Sequence, residues 1–324
     1  MSAHPTGTPA ISVIICAYTL DRWEGLTGAV RSVEGQHDPA AEIVLVIDHN
    51  PELLARARSE FRGCHVIENV ESRGLSGARN SGLAAAQADV VAFIDDDAEA
   101  DADWLGALAG AFADPSVIGA GGTITPRWEE GRPTWFPPAF DWVIGCTYEG
   151  YPTRSVPVRN VLGCNMAFRR QPLSSTGGFR RELGRLGTLP FGVEETEVCI
   201  RLAAAMPGTS ILHVPAAVVR HSVPVNRATW RYFRRRCFAE GVSKAILARL
   251  VGQPQALATE RRYASSVLPR GVVRSLRDAV RHRRPGLVLR AAAIVAGLAI
   301  TAAGYGWGRV SSRASVSPTP SSSG

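Results

Sequence analysis

Three stretches gather the residue types that handle ions and protons. Val90–Asp97 reads VVAFIDDD, five apolar residues running into Asp95, Asp96 and Asp97. Adjacent carboxylates repel one another unless a cation joins them. A hard divalent cation with oxygen ligands is the natural partner, and a diphosphate can complete its shell. The alternative is a solvated acidic turn. Residues 191–202, FGVEETEVCIRL, set Glu194, Glu195 and Glu197 at the start of a helix. The helix dipole alone accounts for one or two of these acids, and Arg201 stands four residues after Glu197, where it can pair with it. A carboxylate held there beside a crevice also has the chemistry of a base toward an attacking hydroxyl. His221, last residue of ILHVPAAVVRH, is a candidate metal ligand or simply a polar edge residue.

The elements around these residues follow from hydrophobic pattern. VVAFI lacks alternation, so it reads as a strand buried on both faces, and ligand crevices in open α/β sheets lie just past strand carboxyl ends. ISVIICAY (Ile11–Tyr18), EIVLVID (Glu42–Asp48) and His65–Asn69 read as three earlier strands. Helical spacing over Leu20–Glu34, Pro51–Phe61 and Ser76–Ala88 separates them. This alternation predicts a parallel, doubly wound sheet. Asp48 and Asp95 then both end strands, placed to accept from ribose hydroxyls or a base N–H, and Tyr18 is placed to lie against a base. No GxGxxG follows the first strand and no GxxxxGK[ST] occurs, which disfavours hydride transfer and P-loop chemistry.

Downstream, Asp103-Trp104-Leu105 opens a helix, and VIGAGGTIT (Val117–Thr125), GCNMAFR (Gly163–Arg169) and Ile211–His221 read as strands. Residues 126–158 are rich in Pro and aromatics. Trp128, Trp135, Phe136, Phe140 and Trp142 form either an acceptor wall or, the better reading for most of them, a satellite core.

Composition sets the class. The chain has 324 residues, 45% hydrophobic, enough for a sizeable core. Its charge is asymmetric: residues 1–200 carry 16 Arg/Lys against 26 Asp/Glu, residues 201–324 carry 20 against 3. An acidic front and a basic back suit a site handling a cation and a polyanion, or a back end resting on an anionic surface. Lys244 is the only lysine, so arginine abundance is weak evidence for nucleic acid. The six cysteines form no CxxC or Cys/His cluster, which indicates neither zinc nor a disulfide framework and fits a reducing compartment. MSAHPTGTPA has no basic or apolar leader region, so no signal peptide is expected.

The basic segment RATWRYFRRR (Arg227 to Arg236) opens a helix running to Leu250, with arginines suited to phosphate or acidic lipid. Leu287–Trp307 is apolar except for Arg290 and follows Arg281-His282-Arg283-Arg284. It is long enough to span a bilayer or to insert at its interface, with the basic cluster on the cytoplasmic side. The serine-rich end reads as a disordered tail.

In order, ISVIICAY, VLVID, RGLSGARNSGLAAA, VVAFIDDD, ADWL, GCNMAFRR, GGFR, EETEVCIR and VVRHSVP resemble the inverting family-2 nucleotide-sugar glycosyltransferases of GT-A fold, over about residues 10–250. TLDRW, IDHN, FDWVIGCTYEG and ATWRYFRRRCFAEGVSKA are similar to a membrane-associated subgroup that includes glucosyl-dolichyl phosphate glucuronosyltransferases. The resemblance implies an α/β fold, a GT-A (Rossmann-like), mostly parallel sheet flanked by helices, with a C-terminal helical basic and apolar extension. Its parts would be a flexible residues 1–10, a nucleotide-sugar half at 11–125, an acceptor and catalytic half at 126–225, a basic helical region at 226–310 with a membrane segment at 287–307, and a tail at 311–324.

It further implies Tyr18 stacking on the base, Asp48 binding the base, and Arg79 near the nucleotide. Asp95 would face the ribose, Asp96 take the variable middle position, and Asp97 and His221 hold Mg²⁺ or Mn²⁺. Glu195 falls where the family places its catalytic base, although the family usually has Asp there. The implied activity moves a sugar from a nucleoside-diphosphate sugar, most commonly a UDP-sugar, to a hydroxyl acceptor. That acceptor would be a polyprenyl-linked saccharide or a cell-envelope glycan, reached by a cytoplasmic enzyme at the inner membrane face, with no nucleic-acid partner. A nucleotidyltransferase is the rival enzyme, but it typically needs a glycine-rich basic loop after the first strand, which is absent. A basic module for membrane surface or nucleic acid would leave IDDD and EETE unexplained.

Overall fold

The computed structural model describes residues 8–183, 192–252 and 260–311. Most of the expected flexible N-terminus and serine-rich tail, and Phe191, lie outside these. Strands β1 (Ile11–Ala17), β2 (Glu42–Ile47), β3 (His65–Glu68) and β4 (Val90–Asp95) form a parallel half-sheet in the order β3-β2-β1-β4. Helices α1 (Trp23–Glu34), α2 (Pro51–Glu60) and α3 (Leu75–Ala85) make the crossovers. The entry to α1 is a 3₁₀ turn at Leu20–Arg22, so the helix begins three residues after the sequence pattern suggests. Asn50 caps α2 by accepting from the Leu53 N–H, with Pro51 preset in the first turn. Alternate residues of β1 and β4 face opposite layers. Val13, Ile15, Val90 and Ala92 enter the core under α1 and α2, and Ile14, Val91 and Phe93 enter the core under α3.

Beyond β4 the sheet becomes mixed. Strand β5 (Ala98–Ala100) and helix α4 (Trp104–Ala111) follow, then β6 (Val117–Trp128), the two-residue β7 (Val156–Pro157), β8 (Asn165–Arg169) and β9 (Ser210–Val223). β8 inserts antiparallel between β4 and β6, β9 runs parallel to β6, and β5 and β7 pair antiparallel with β9. Parallel pairing is therefore confined to β1–β4 and β6–β9. Helices α5 (Arg170–Ser175) and α6 (Glu194–Ala205) cover the second core. The C-terminal helices α7 (Trp230–Val251), α8 (Leu268–Arg281) and α9 (Gly286–Ser311) dock on the first core through the aromatic loop. Phe136 and Phe140 meet Phe233 of α7 there, at ring centroid distances of 5.5 and 5.2 Å. The loop aromatics thus serve mainly as core, as most of them were expected to, while Phe140 and Trp142 also line a cavity.

One buried amide holds the central strands in register. The β6–β9 pairing jumps from Gly122↔Val214 to Thr123↔Val218, a bulge in β9. Fully buried Asn165 donates to the carbonyls of Ala217 (2.8 Å) and Thr123 (3.1 Å) and accepts from Trp104 Nε1 (2.8 Å). The bulge sets where His221 falls further along β9. Asn165→Leu would leave three buried polar groups unpaired. It is predicted to lower unfolding free energy by about 3–5 kcal/mol, measured by chemical denaturation of the full chain. A loss below about 1 kcal/mol would mean that the amide does not hold the bulge.

Candidate active site

The acidic run bends where the parallel half-sheet ends. Asp95 closes β4, and Asp96 and Asp97 form a turn into β5. Because β5 pairs with β9, Ala98 lies opposite His221, and the Ser222 N–H donates to the Asp97 carbonyl at 2.8 Å. Backbone pairing therefore delivers His221 Nε2 to 3.1 Å from Asp97 Oδ1. Asp95, Cys164 and His221 also bring potential ligand atoms within 4.8 Å of one another.

Each aspartate of this run has a counter-charge. Arg22 approaches Asp96 (2.8 Å) and Asp97 (3.3 Å), and Arg227 approaches Asp97 at 3.2 Å. Burial pushes the Asp97 carboxyl up, but His221, then Arg227 and Arg22, outweigh it and hold it well below the usual carboxylate range. Asp96 is pushed up to about 6, chiefly by burial and then by Asp97, against the pull of Arg22. Arg79, 2% exposed, donates to Glu194 (3.1 Å), to the Gly163 carbonyl (3.2 Å) and, more loosely, to Asp95 (3.5 Å). It joins the end of β4 to the start of α6.

The three glutamates of α6 separate by partner. Glu194 is tied to Arg79, and buried Glu197 is held by Arg201 (2.9 Å) and Arg180 (2.8 Å), so the expected Glu197–Arg201 pair forms. Glu195 has no side-chain ion pair among the described residues, and it faces a cavity of about 490 Å³. Its carboxyl is pushed up to about 8 by burial and by the adjacent Glu194. Asp95, Arg79, His221 and Arg227 line the same cavity.

Tyr18 and Asp48 lie at the neighbouring strand ends, outside that cavity lining. Tyr18 is 51% exposed, with the Arg22 guanidinium 5.3 Å from its ring. Asp48 is buried, accepting from Asn69 (2.7 Å) and from the Gly74 N–H (2.9 Å), and so anchors the loop that leads into α3.

The donor set fits a divalent cation. His221 stands between two carboxylates: Asp95 shares its ligand-atom cluster and Asp97 touches it at 3.1 Å, although Asp97 lies outside the cavity lining. Carboxylate and imidazole donors suit Mn²⁺ and are compatible with Mg²⁺. Burial raises the Cys164 thiol well above its usual range, which keeps it protonated and makes it a poorer ligand than the neighbouring carboxylates and imidazole.

A second group of charges lines the cavity and was not picked out in the sequence. Lys244 of α7 pairs with Glu260 (2.7 Å) and Glu240 (3.3 Å), and Arg159 meets both oxygens of Glu260 at 2.8 and 2.9 Å. Arg22 was also missed as a site residue. The available signals were the single lysine and the charged position just after the first strand. Neither has meaning until α7 and the 3₁₀ turn are packed against the sheet.

Residues 12–177 match the family model described as Glycosyl transferase family 2. The chain is 32% identical over 302 residues to a glucosyl-dolichyl phosphate glucuronosyltransferase of Haloferax volcanii, covering 92% of this chain and 96% of that one. Its fold matches a mannosyltransferase from Pyrobaculum calidifontis solved with GDP-Man and Mn²⁺, with a TM-score of 0.53, 20% identity, and 93% and 89% of the two chains covered. It also matches GalNAc-T7 solved with UDP, GalNAc and Mn²⁺, with a TM-score of 0.52, 18% identity, and 80% and 54% covered. With strand ends that gather carboxylates and an imidazole beside a cavity, on a mixed α/β sheet of GT-A type, this chain belongs to glycosyl transferase family 2 and is a glycosyltransferase.

Proposed function

We propose that the chain is an inverting, metal-dependent glycosyltransferase that moves a sugar from a nucleoside-diphosphate sugar to a hydroxyl of a lipid-linked acceptor. The observation that carries this reading is the partnering of α6. Glu194 and Glu197 are consumed by arginines, whereas Glu195 is left facing the cavity that Asp95 and His221 also line. One carboxylate is thus available to take a proton from an acceptor hydroxyl in that cavity.

In this reading Asp95, Asp97 and His221 hold a divalent cation, Mn²⁺ or Mg²⁺, which when bound supplies charge stabilisation for the departing diphosphate. Tyr18, Asp48, Arg79 and Asp96 bind or frame the nucleotide. Asp48 does so from the loop it anchors, and Arg79 by holding Asp95 in place. Arg22 and Arg227, which neutralise Asp97, also meet the negative charge that develops on the leaving oxygen. Glu195 removes the acceptor hydroxyl proton as that oxygen attacks the anomeric carbon from the opposite face. The C–O bond to phosphate breaks as the new C–O bond forms, and configuration inverts. The mannosyl and GalNAc structural neighbours were solved with a nucleotide or nucleotide sugar and Mn²⁺, which supports the donor and metal reading. The dolichyl-phosphate relative supports a lipid-linked acceptor, the apolar C-terminal helix supports membrane attachment, and the basic cluster before that helix is the ground for placing it at the inner face.

Four results would test this. Screening nucleotide sugars with Mn²⁺ and Mg²⁺ should identify a donor from which nucleoside diphosphate is released; release of pyrophosphate from a nucleotide would indicate a nucleotidyltransferase instead. Asp97→Asn should lower kcat by about 10²-fold or more at saturating metal, and unchanged turnover would remove Asp97 from the site. Since the Glu195 carboxyl is raised to about 8, its base form fills as pH rises through that value. The kcat/KM profile should therefore climb about tenfold per pH unit below it and level above. Glu195→Gln should lower kcat by about 10²–10⁴-fold and flatten the limb while donor binding is retained. A variant that keeps the limb would place the base elsewhere.

A further inference from the structure

Helix α9 is long and apolar enough to cross a bilayer, yet its packing does not leave it free to do so. It runs parallel to α7 at backbone contact. Gly297 sits over Phe233, Gly304 against the Phe238 carbonyl, Gly241 against the Thr301 carbonyl, and Gly308 against Ala245 and Val242. A Cβ at Gly241 or Gly304 would collide with the facing backbone. Arg249 of α7 ties the far end by donating to the Gly308 and Arg309 carbonyls at 2.7 and 2.8 Å. Gly297 lies near the middle of α9, and at that level α7 carries exposed Arg234 and Arg235. A spanning α9 would carry these arginines and the cavity wall into hydrocarbon, where charged side chains are strongly disfavoured.

The outward side of α9 is nonetheless a continuous apolar stripe. Val288, Leu289, Val295, Leu298, Trp307 and Val310 are all exposed, and the exposed residues between Val288 and Trp307 are alanine, glycine or other apolar types. The polar residues of this stretch turn inward: Arg290 donates to the Thr134 carbonyl and Thr301 to the Gly297 carbonyl. The neighbouring α8 adds Val273, Leu276 and Val280, spaced on one face and 66%, 43% and 81% exposed. Around this ridge stand exposed Arg270, Arg277, Arg281, Arg283 and Arg284, and Asp278 is the one acid between residues 261 and 311. An apolar ridge ringed by arginine complements the headgroup–acyl boundary of an anionic leaflet.

We propose that α8 and α9 form a monotopic docking surface for an anionic bilayer leaflet, with α9 lying in the membrane plane rather than across it. This deepens the lipid-linked-acceptor reading, on which it rests for its purpose. Leu298 belongs both to the exposed stripe and to the cavity wall, so an acceptor could pass from the leaflet to the site along it.

The test is flotation of the full-length chain with phosphatidylcholine vesicles, with and without phosphatidylglycerol, followed by depth-dependent quenching. The chain should float with anionic vesicles, and salt should weaken binding. Val273→Glu with Val280→Glu should reduce the bound fraction about tenfold while nucleoside diphosphate release from the donor, assayed without vesicles, stays at the parent level. Fluorophores at Leu289→Cys, Ala299→Cys and Val310→Cys, corrected for labelling of the native cysteines, should all report one shallow depth. A deep central probe between shallow ends would show a spanning helix and overturn the proposal. So would wild-type binding by the double variant, absence of binding to both vesicle types, or a stable dimer in solution that hides the ridge. Donor turnover measured alongside reports on the glycosyltransfer reading separately.

Discussion

Arg79 is a guanidinium with almost no access to water, set between Glu194 at the start of one helix and Asp95 at the end of one strand. Its position states the constraint on the whole site. A fold that collects carboxylates where strands and helices begin and end must match each of them or neutralise it by protonation. Here Arg22 answers Asp96, Arg227 and His221 answer Asp97, and Arg180 and Arg201 answer Glu197. Glu195 alone in the α6 trio forms no side-chain ion pair among the described residues, and burial, then the neighbouring Glu194, make its carboxyl hold its proton more tightly against the pull of Arg79. Counter-charge thus sorts chemically identical side chains into two that arginines hold and one that faces the cavity without a side-chain ion pair.

That sorting was not visible in the chain, although its ingredients were. The strand ends Asp48 and Asp95, the helix start at EETE and the terminal His221 were legible as element ends because burial on both sheet faces gives unbroken apolar runs. Asp95, Glu195 and His221 line the cavity, whereas Asp48 anchors the loop into α3 outside it. Which glutamate pairs with which arginine depends on Arg79 reaching from α3 to α6, a separation of 115 residues that no local pattern encodes. The Lys244–Glu240–Glu260–Arg159 cluster escaped for the same reason. The i,i+4 relation of Glu197 and Arg201 was legible because it lies within one helical turn.

The fold shows the same division. The crossovers of the first half follow from alternating strand and helix patterns. The reversal at β8 does not, because an apolar run looks the same in either direction. The bulge in β9 depends on Asn165, Trp104 and two strands meeting, although the Pro215 beside it marks an irregular position. At the C-terminus, length and composition allowed α9 to cross a bilayer or to lie on it. The difference rests on glycines that permit backbone contact with α7, and such glycines read in the sequence only as low hydrophobicity.

The central claim is that a cation-held leaving group and an unpartnered glutamate act on opposite faces of one sugar. The anomeric configuration of the transferred sugar tests it most directly, read from the anomeric proton coupling in the NMR spectrum of the product. The account predicts inversion relative to the donor. Retention would require two displacements or a same-face departure and would contradict it.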